Sequence, residues 1–358
     1  MRRVYILGVF VPVALGLSAA GASAPLIFIA SALGIIPVAA LMGDSTEHLA
    51  ARSGPGVGGL VNVTFGNAPE LIIALFALGD GLHEVVKASI VGSIIGNALL
   101  VLGASMLAGG WHRTRQRFDR TAAQTQSGML LLTILALAIP SVLALAHHAR
   151  LPVVGEVRHE FGSDVQNASI AVAVILIATY AAGLFFSLRT HRSLFSPIEE
   201  DEAQAAWSLR RSVGMLAAAG VVVALLSSVL VGSIEQASSD FGLSQFFVGA
   251  FVVAVVGNAA EHYVAVVAAM KDRMGLAVGI SIGSSSQIGL FVAPVLVLLS
   301  LVIGPAGMAL VFNPFEIAAL LAVGLLVPIL LSDGESTWFE GVQLMALYAV
   351  IGVVFYAA

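Results

Sequence analysis

The chain has 358 residues, of which 59% are hydrophobic and only 10% are charged, and its mean hydropathy is +1.00. A soluble fold could not cover its surface with so few charges, so the composition indicates a polytopic membrane protein. The absence of cysteine excludes disulfides and thiolate metal sites. The formal net charge of −5 says little about partners in such a chain. We expect contact with the lipid bilayer and none with nucleic acid.

Apolar runs of about 20 residues, the length needed to cross a hydrocarbon core of roughly 30 Å, occur eleven times along the chain. Long continuous runs predict helices, because barrel strands alternate in polarity over about ten residues. The sequence therefore predicts an all-α membrane protein with about eleven spans. These lie near residues 4–20, 25–43, 58–79, 86–109, 127–147, 167–188, 212–234, 245–270, 275–302, 311–331 and 338–357.

The distribution of Lys and Arg predicts a cytoplasmic N-terminus. With that orientation only Lys87, Arg150 and Arg158 of the 16 basic residues fall on the outer side, as the positive-inside rule requires. The first span also fits a secretory signal peptide, since Arg2-Arg3 precedes an apolar run that ends near a small-residue cleavage site at 22–24. We favour a retained helix.

Two copies of one phrase, GNAPE at 66–70 and GNAAE at 257–261, lie 191 residues apart. The same offset overlays Gly92-Ser93 on Gly283-Ser284, as an internal repeat would. We therefore predict a leading helix (1–24), a first five-helix repeat (25–188), a connector (189–211) and a second five-helix repeat (212–358).

Five is an odd number of spans, so the second repeat would enter the membrane from the opposite side. Inverted repeats are typical of secondary transporters, whose sites lie near the bilayer midplane where the halves meet. The connector carries the acidic run Glu199-Glu200-Asp201-Glu202. This run is either a solvated linker or an acidic cytoplasmic helix that gathers or senses cations, and the sequence leaves both open.

Glu70 and Glu261 end the two phrases within otherwise apolar stretches. An ionised carboxylate at that depth costs several kcal/mol unless it is paired, so each marks a candidate functional site. Asn67 and Asn258 lie three residues earlier and share a helix face with these acids. Pro69 should interrupt its helix, and the glycines should weaken both helices, which is tolerated in a membrane only where backbone lines a cavity or is buried in protein.

The segments that follow the two phrases add further neutral oxygen donors, namely Ser93, Asn97, Ser284 and Gln287. Two carboxylates with amide and hydroxyl oxygens suit a hard cation such as Ca²⁺, which takes six to eight oxygen ligands. The alternative is a buried polar network that fixes helix packing.

The phrases GNAPELI from Gly66 and GNAAEH from Gly257 resemble the paired signature motifs of the cation/proton exchanger family, the calcium–proton antiporters of the cation/calcium exchanger superfamily. IIPVAALMGDSTEHLA from Ile35, GSSSQIGLFVAP from Gly283 and DGESTWFEG from Asp333 also agree with that family. The resemblance extends from about residue 30 to the end. The chain departs from the pattern where Gly96 replaces an expected Ser and Ser286 replaces the usual Thr.

This resemblance implies an antiporter that exchanges Ca²⁺, or another divalent cation, for H⁺ by alternating access. Glu70 and Glu261 would be shared cation and proton ligands, because metal and proton compete for the same oxygens. The amide and hydroxyl side chains named above would complete the coordination or orient the acids. Sodium-coupled relatives typically carry Gly-Thr-Ser in place of Gly-Asn-Ala, so Asn67 and Asn258 favour protons as the coupling ion. His262 faces away from Glu261 on an ideal helix and is interpreted as a supporting or packing residue.

Three other acids have less specific interpretations. Glu47 and Glu235 are either helix-end charges or cation-attracting groups at opposite mouths of the pathway, and the sequence does not choose between them. Glu316 follows Asn313-Pro314, which is typical of a helix N-cap with a first-turn acid.

The competing classes are a sodium-coupled exchanger, a passive cation channel and an intramembrane enzyme. The last is disfavoured, because the sequence contains neither a zinc-protease phrase nor a nucleophile motif. We expect a transporter rather than an enzyme, with no cofactor besides the transported Ca²⁺ and H⁺. The short N-terminus favours a prokaryotic inner membrane, and self-association as a homo-oligomer is left open.

Overall fold

A computed structural model of the chain describes residues 4–155, 161–186 and 207–358, with side chains of 53–60, 62 and 63 left out. Its helices, numbered in chain order, are α1 (Val4–Ala19), α2 (Ala24–Gly66), α3 (Ala68–Gly79), α4 (His83–Gly110), α5 (Arg120–Ala146), α6 (Ser163–Phe185), α7 (Leu209–Phe241), α8 (Gln245–Met270), α9 (Met274–Leu299), α10 (Pro314–Leu330) and α11 (Trp338–Ala357). Two short strands, β1 (Gln116–Arg117) and β2 (Glu335–Ser336), pair antiparallel.

Eight helices in the described parts of the chain are long and apolar enough to cross a membrane, and α1, α3 and α10 are shorter apolar helices. This confirms an all-helical membrane fold in outline. The number of spans and their inverted arrangement stay predictions.

The sequence predicts a loop at residues 44–57, between the second and third spans, and this prediction is wrong. Helix α2 runs without interruption over 43 residues, through the polar and glycine-rich stretch at 44–57. The break comes instead at Asn67, inside the predicted third span, where α2 ends and α3 begins with Pro69 in its first turn. Hydropathy shows where a segment is apolar, whereas a helix ends where its backbone hydrogen bonds fail. Pro69 has no N–H to continue them, but Pro37 lies within α2 without ending it, so the break also depends on Asn67, whose backbone leaves the helical region at φ −91° and ψ 15°.

Helices α4 and α9 lie at the centre of the molecule. In α4 83% of the apolar window is buried and in α9 67%, against 22% in each of α6 and α11. Each central helix contains a π-helical turn, Gly96–Val101 in α4 and Ile288–Val292 in α9. The offset of 191 residues brings 96–101 onto 287–292, so the two turns occupy equivalent positions. Such π turns often occur at functional sites.

The long helices α2 and α7 pack along each other, and α1 packs beside them. Tyr5 of α1 donates a hydrogen bond to Asp44 Oδ2 of α2 at 2.5 Å. Gly34 of α2 lies against Phe10 of α1, because a Cβ at Gly34 would be 3.3 Å from the Phe10 backbone. These contacts place α1 within the helix bundle.

A buried segment without helical structure, residues 308–313, connects α9 to α10, and we call it the strap. Three helices supply serine hydroxyls to its backbone N–H groups. Ser300 accepts from Met308 at 2.7 Å, and the other two serines bond at 3.0 Å, Ser169 with Leu310 and Ser141 with Phe312. Irregular backbone is tolerated at membrane depth only when protein satisfies it in this way.

The strap leads into α10 through a capping box. Asn313 Oδ1 accepts from the backbone N–H of Glu316 at 2.9 Å, and Glu316 Oε2 accepts from the backbone N–H of Asn313 at 2.7 Å. The predicted N-cap at Asn313 with Glu316 as first-turn acid is therefore confirmed.

Two predictions concern charged residues. The distribution of basic residues predicts Lys87 on the outer side, which stays a prediction, and the structure places it within α4 with only 7% of its surface exposed. It can be buried because its ammonium donates to the Val311 carbonyl of the strap at 2.8 Å. The acidic run 199–202 lies outside the described residues, so both interpretations of the connector stay open.

Strands β1 and β2 tie the α4–α5 turn to the α10–α11 turn. Glu335 accepts from Arg115 at 2.7 Å and from Arg117 at 3.1 Å. Its exposed carboxylate has a pKa below the ordinary value, first because of the hydrogen bond from Arg115 and then because of the nearby guanidinium charges.

Candidate ion-binding site

Glu70 stands in the first turn of α3, directly after the helix break at Asn67. Its Oε1 accepts a hydrogen bond from Ser93 Oγ of α4 at 2.5 Å and another from Asn258 Nδ2 of α8. The sequence predicted these residues as one group, and the structure brings them together from three helices.

Asn258 is the centre of this group. Its Nδ2 also donates to the Ala254 carbonyl at 2.9 Å and lies 3.0 Å from Ser93 Oγ, while its Oδ1 lies 3.5 Å from Asn97 Nδ2. Asn97 Oδ1 in turn is 3.0 Å from His262 Nε2. A continuous polar chain therefore runs from His262 through the two asparagines to Glu70. The supporting role expected for His262 takes the form of this contact with Asn97.

Glu261 of α8 has a similar environment, in which Ser284 of α9 hydrogen-bonds to the carboxylate. Ser284 is the equivalent of Ser93 under the offset of 191 residues. Each acid also lies against the glycine of the other phrase. A Cβ at Gly257 would lie 2.6 Å from Glu70 Cγ, and one at Gly66 would lie 3.5 Å from Glu261 Oε1. The two phrases therefore pack against each other.

Asn67 does not have the contacts of its equivalent, Asn258. Its Nδ2 donates to Gln287 Oε1 at 2.9 Å. Position 287 corresponds to position 96 in the first half, where the chain has Gly96 and no side chain. The Nδ2 of Asn258 therefore has no glutamine acceptor at this position, and it bonds with Glu70 and Ser93.

The predicted helix weakening differs between the phrases. The first phrase breaks its helix at Asn67, whereas 257–261 is regular α-helix within α8. Ala260 takes the place of Pro69 and keeps its backbone N–H, so this helix continues through Gly257, and the expected weakening stays a prediction.

Three acceptor oxygens at this site, Glu70 Oε2, Glu261 Oε2 and Asn67 Oδ1, are buried without a hydrogen-bond partner among the described residues. A buried acceptor without a donor is costly unless something supplies positive charge. Glu70, Ser89 and Ser93 also line a small cavity whose other walls are apolar. The arrangement suits a cation held by oxygen ligands.

The described part of the chain contains no cluster of three or more His, Asp or Glu side chains. The candidate site has two carboxylates with amides and hydroxyls, a donor set that suits a hard cation. Glu47 and Glu235 are exposed, whereas the two acids of the site are not.

Sequence reasoning did not single out Ser285. Its Oγ donates to the Ile94 carbonyl of α4 at 3.2 Å and so joins the two central helices. The run of three serines at 284–286 was a signal for polar contacts at this depth.

Comparisons with known proteins agree with this geometry. The sequence profile of the family described as "Sodium/calcium exchanger protein" matches residues 23–189 and again 211–357. The chain belongs to the sodium/calcium exchanger family. The predicted membership of the cation/calcium exchangers is thereby confirmed.

Within this family the chain is similar to proteins named for calcium–proton exchange. It is 40% identical to the "Ca(2+)/H(+) antiporter" of Synechocystis sp. over 371 residues, covering 98% of this chain and 96% of the relative. It is 41% identical to "Ca(2+)/H(+) antiporter ChaA" of Bacillus subtilis over 327 residues, covering 90% of this chain and 89% of the relative. These relatives are transporters, which agrees with the expected class.

Solved structures show the same fold. The structure titled "Structure of native YfkE" has a TM-score of 0.83 and 37% identity, with 99% of this chain and 100% of that chain covered. The H⁺/Ca²⁺ exchanger CAX has a TM-score of 0.74 over 99% of this chain and 91% of that chain, at 12% identity. The latter shows the fold alone.

Proposed function

We propose that this protein exchanges Ca²⁺ for H⁺ across a prokaryotic cell membrane by alternating access, with Glu70 and Glu261 as the shared cation and proton ligands. Asn67, Asn258, Ser93, Asn97, Ser284 and Gln287 complete the oxygen cage or orient the two acids. The names of the bacterial relatives support the substrate and the location.

The observation that carries this proposal is the pair of half-bonded carboxylates. Glu70 Oε1 is held by Ser93 and Asn258, and Glu261 is bonded by Ser284, but the Oε2 atom of each acid is buried without a donor in the described structure. Each Oε2 can accept a cation or carry a proton. The two ions therefore compete for the same oxygens, and this competition couples their movement.

The repeat supports alternating access. The family profile matches the two halves separately, at 23–189 and 211–357. Equivalent residues Ser93 and Ser284 bond equivalent acids, and the π turns of α4 and α9 coincide under the same offset. In this mechanism the halves move against each other around a site that both contribute to.

Proteoliposomes that contain the purified protein and an internal pH indicator test the proposal. With Ca²⁺ on one side only, Ca²⁺ entry should drive proton exit, and an imposed proton gradient should accumulate Ca²⁺. Glu70→Gln/Glu261→Gln vesicles are the control for leakage.

Other outcomes identify the alternatives. Ca²⁺ movement driven by a sodium gradient and not by a proton gradient would indicate a sodium-coupled exchanger. Ca²⁺ flux that needs no counter-ion would indicate a channel. Either result overturns the proposal.

A further inference from the structure

A buried charged cluster lies on the same central helix as the ion site but is not part of it. Its centre is the buried Lys87 of α4, and the acids near enough to act on its charge are the half-buried Glu84 of α4 and the buried Glu316 of α10. The Phe161 ring lies 5.8 Å from the ammonium. The proposed exchange mechanism uses none of these groups.

Burying an ammonium group in a membrane protein is unfavourable unless partners compensate for lost water. Here they come from separate parts of the fold. The Val311 carbonyl belongs to the strap and Glu316 to α10, and Glu84 accepts at 2.8 Å from the amide of Gly155 in the α5–α6 connection. Lys87 therefore joins α4 directly to the strap, and the neighbouring Glu84 joins α4 to the α5–α6 connection.

Those elements form a fixed frame. The strap is bonded by serines of α5, α6 and α9, and its last residue is bonded by the capping box of α10. Helix α4, in contrast, approaches α8 through glycines, since Gly249 of α8 faces the Val85 carbonyl closely enough that a Cβ would lie 2.8 Å from it. This glycine contact is close but non-directional, so it does not by itself fix the position of α4 along its axis. Outside the ion site, the directional bonds to α4 include the one from Ser285 to the Ile94 carbonyl and those at Lys87 and Glu84.

The position of α4 along its axis matters for the ion site. Ser93 lies six residues after Lys87, about 9 Å along the helix, and Asn97 lies one further turn away. Ser93 donates to Glu70, and Asn97 contacts both Asn258 and His262. A shift of about 1 Å would break these hydrogen bonds.

We propose that Lys87 is a positioning residue for cation exchange, which locks α4 to the strap and α10 so that Ser93 and Asn97 meet Glu70 and Asn258. The second half has Val278 at the equivalent position and no such lock. Only the transport part of the test below depends on the proposed function.

The chain has a second lysine, the exposed Lys271, which gives a matched control. Lys87→Met should raise the apparent KM for Ca²⁺ about 10-fold in proteoliposomes, a usual cost of losing a residue that orients a metal ligand, and should change the maximal rate less. Lys271→Met should leave both unchanged.

A double-mutant cycle tests the route of the effect. If Lys87 acts through Ser93, Lys87→Met should add little to the KM already raised by Ser93→Ala. Multiplicative effects of the two changes, or a normal KM in Lys87→Met, would overturn the proposal. If Lys87→Met does not fold, Lys87→Met/Glu316→Gln takes its place, because it leaves no unpaired carboxylate on α10.

Hydrogen–deuterium exchange of the purified protein is independent of transport. Loss of Lys87 should increase amide exchange in 89–97 and in the strap, while α11 stays protected. Unchanged amide hydrogen exchange in 89–97 would contradict the lock. Absence of Ca²⁺–H⁺ transport in wild-type vesicles would count against the proposed function alone.

Discussion

The two signature phrases contain nearly the same residues but form different local structures. The first breaks its helix at Asn67, while the second stays within the continuous helix α8. Their asparagines also differ, since Asn258 bonds directly to Glu70 and Asn67 bonds to Gln287. Two sequence differences account for this, Pro69 opposite Ala260 and Gly96 opposite Gln287. A repeated sequence therefore gives two acids with related but unequal environments.

The largest expected effect comes from removing either charge. Glu70→Gln and Glu261→Gln should each reduce proton-coupled Ca²⁺ transport at least about 100-fold, because glutamine keeps an oxygen but neither titrates nor neutralises a dication. Vesicle flux corrected for the amount of inserted protein measures this. If one variant kept substantial exchange, only the other acid would be the shared ligand.

The next effect uses the two phrase glycines as a matched pair. Gly257→Ala should lower transport about 10- to 100-fold, because its Cβ would lie 2.6 Å from Glu70 Cγ and displace a carboxylate that Ser93 and Asn258 hold. Gly66→Ala places its Cβ 3.5 Å from Glu261 Oε1, an ordinary contact, and should change transport less than about 3-fold. Equal changes in the Ca²⁺ KM and the maximal rate in the two variants would show that both glycine positions tolerate a Cβ equally.

A smaller effect is expected at the two exposed acids. If the two acids attract cations at opposite mouths of the pathway, Glu47→Gln should reduce Ca²⁺ loading from the cytoplasmic face a few-fold. Glu235→Gln should reduce Ca²⁺ loading or release at the outer face by a similar factor. Steering by exposed charge is screened over about 8 Å at physiological salt, so both effects should fade in high salt. Flux in right-side-out and inverted vesicles measures them. Effects without sidedness would leave these residues as helix-end charges.

The smallest effect concerns the strand tie. The pKa of Glu335 is lowered in the folded protein, so its stabilising contribution is present above the ordinary glutamate pKa of about 4.3 and is lost as pH falls through the lower folded value. Glu335→Gln should therefore lower Tm slightly at pH 7. It should leave Tm unchanged once the pH lies below the folded pKa of Glu335. Thermal unfolding across pH, with exposed Glu235→Gln as control, measures this. A difference that persists in strong acid would argue against the ion pairs with Arg115 and Arg117.

Much of this architecture could be predicted from local pattern. Apolar runs gave the helices, the offset of 191 residues paired Ser93 with Ser284, and Asn313-Pro314 predicted the cap of α10. Each of these signals depends on neighbouring residues or on a repeated phrase. They predicted which side chains would meet, though not which asparagine would contact which acid.

What was not predicted depends on contacts distant in sequence. The burial of Lys87 could not be predicted, because the carbonyl that it binds lies 224 residues away. The strap has an apolar sequence that hydropathy assigns partly to a helix. Its irregular backbone is satisfied there by three serines distant in sequence and by Lys87. The helix over 44–57 was missed because a polar composition does not prevent helical hydrogen bonding.

The central claim is that one pair of carboxylates holds either Ca²⁺ or protons. Calorimetry in buffers of different ionisation enthalpy counts the protons released when Ca²⁺ binds to the detergent-purified protein. We expect Ca²⁺ binding to release protons in the wild type, with an affinity that weakens as pH falls from about 8 to about 5, and to release fewer in either glutamine variant. Ca²⁺ binding that releases no protons at any pH in this range would contradict the account.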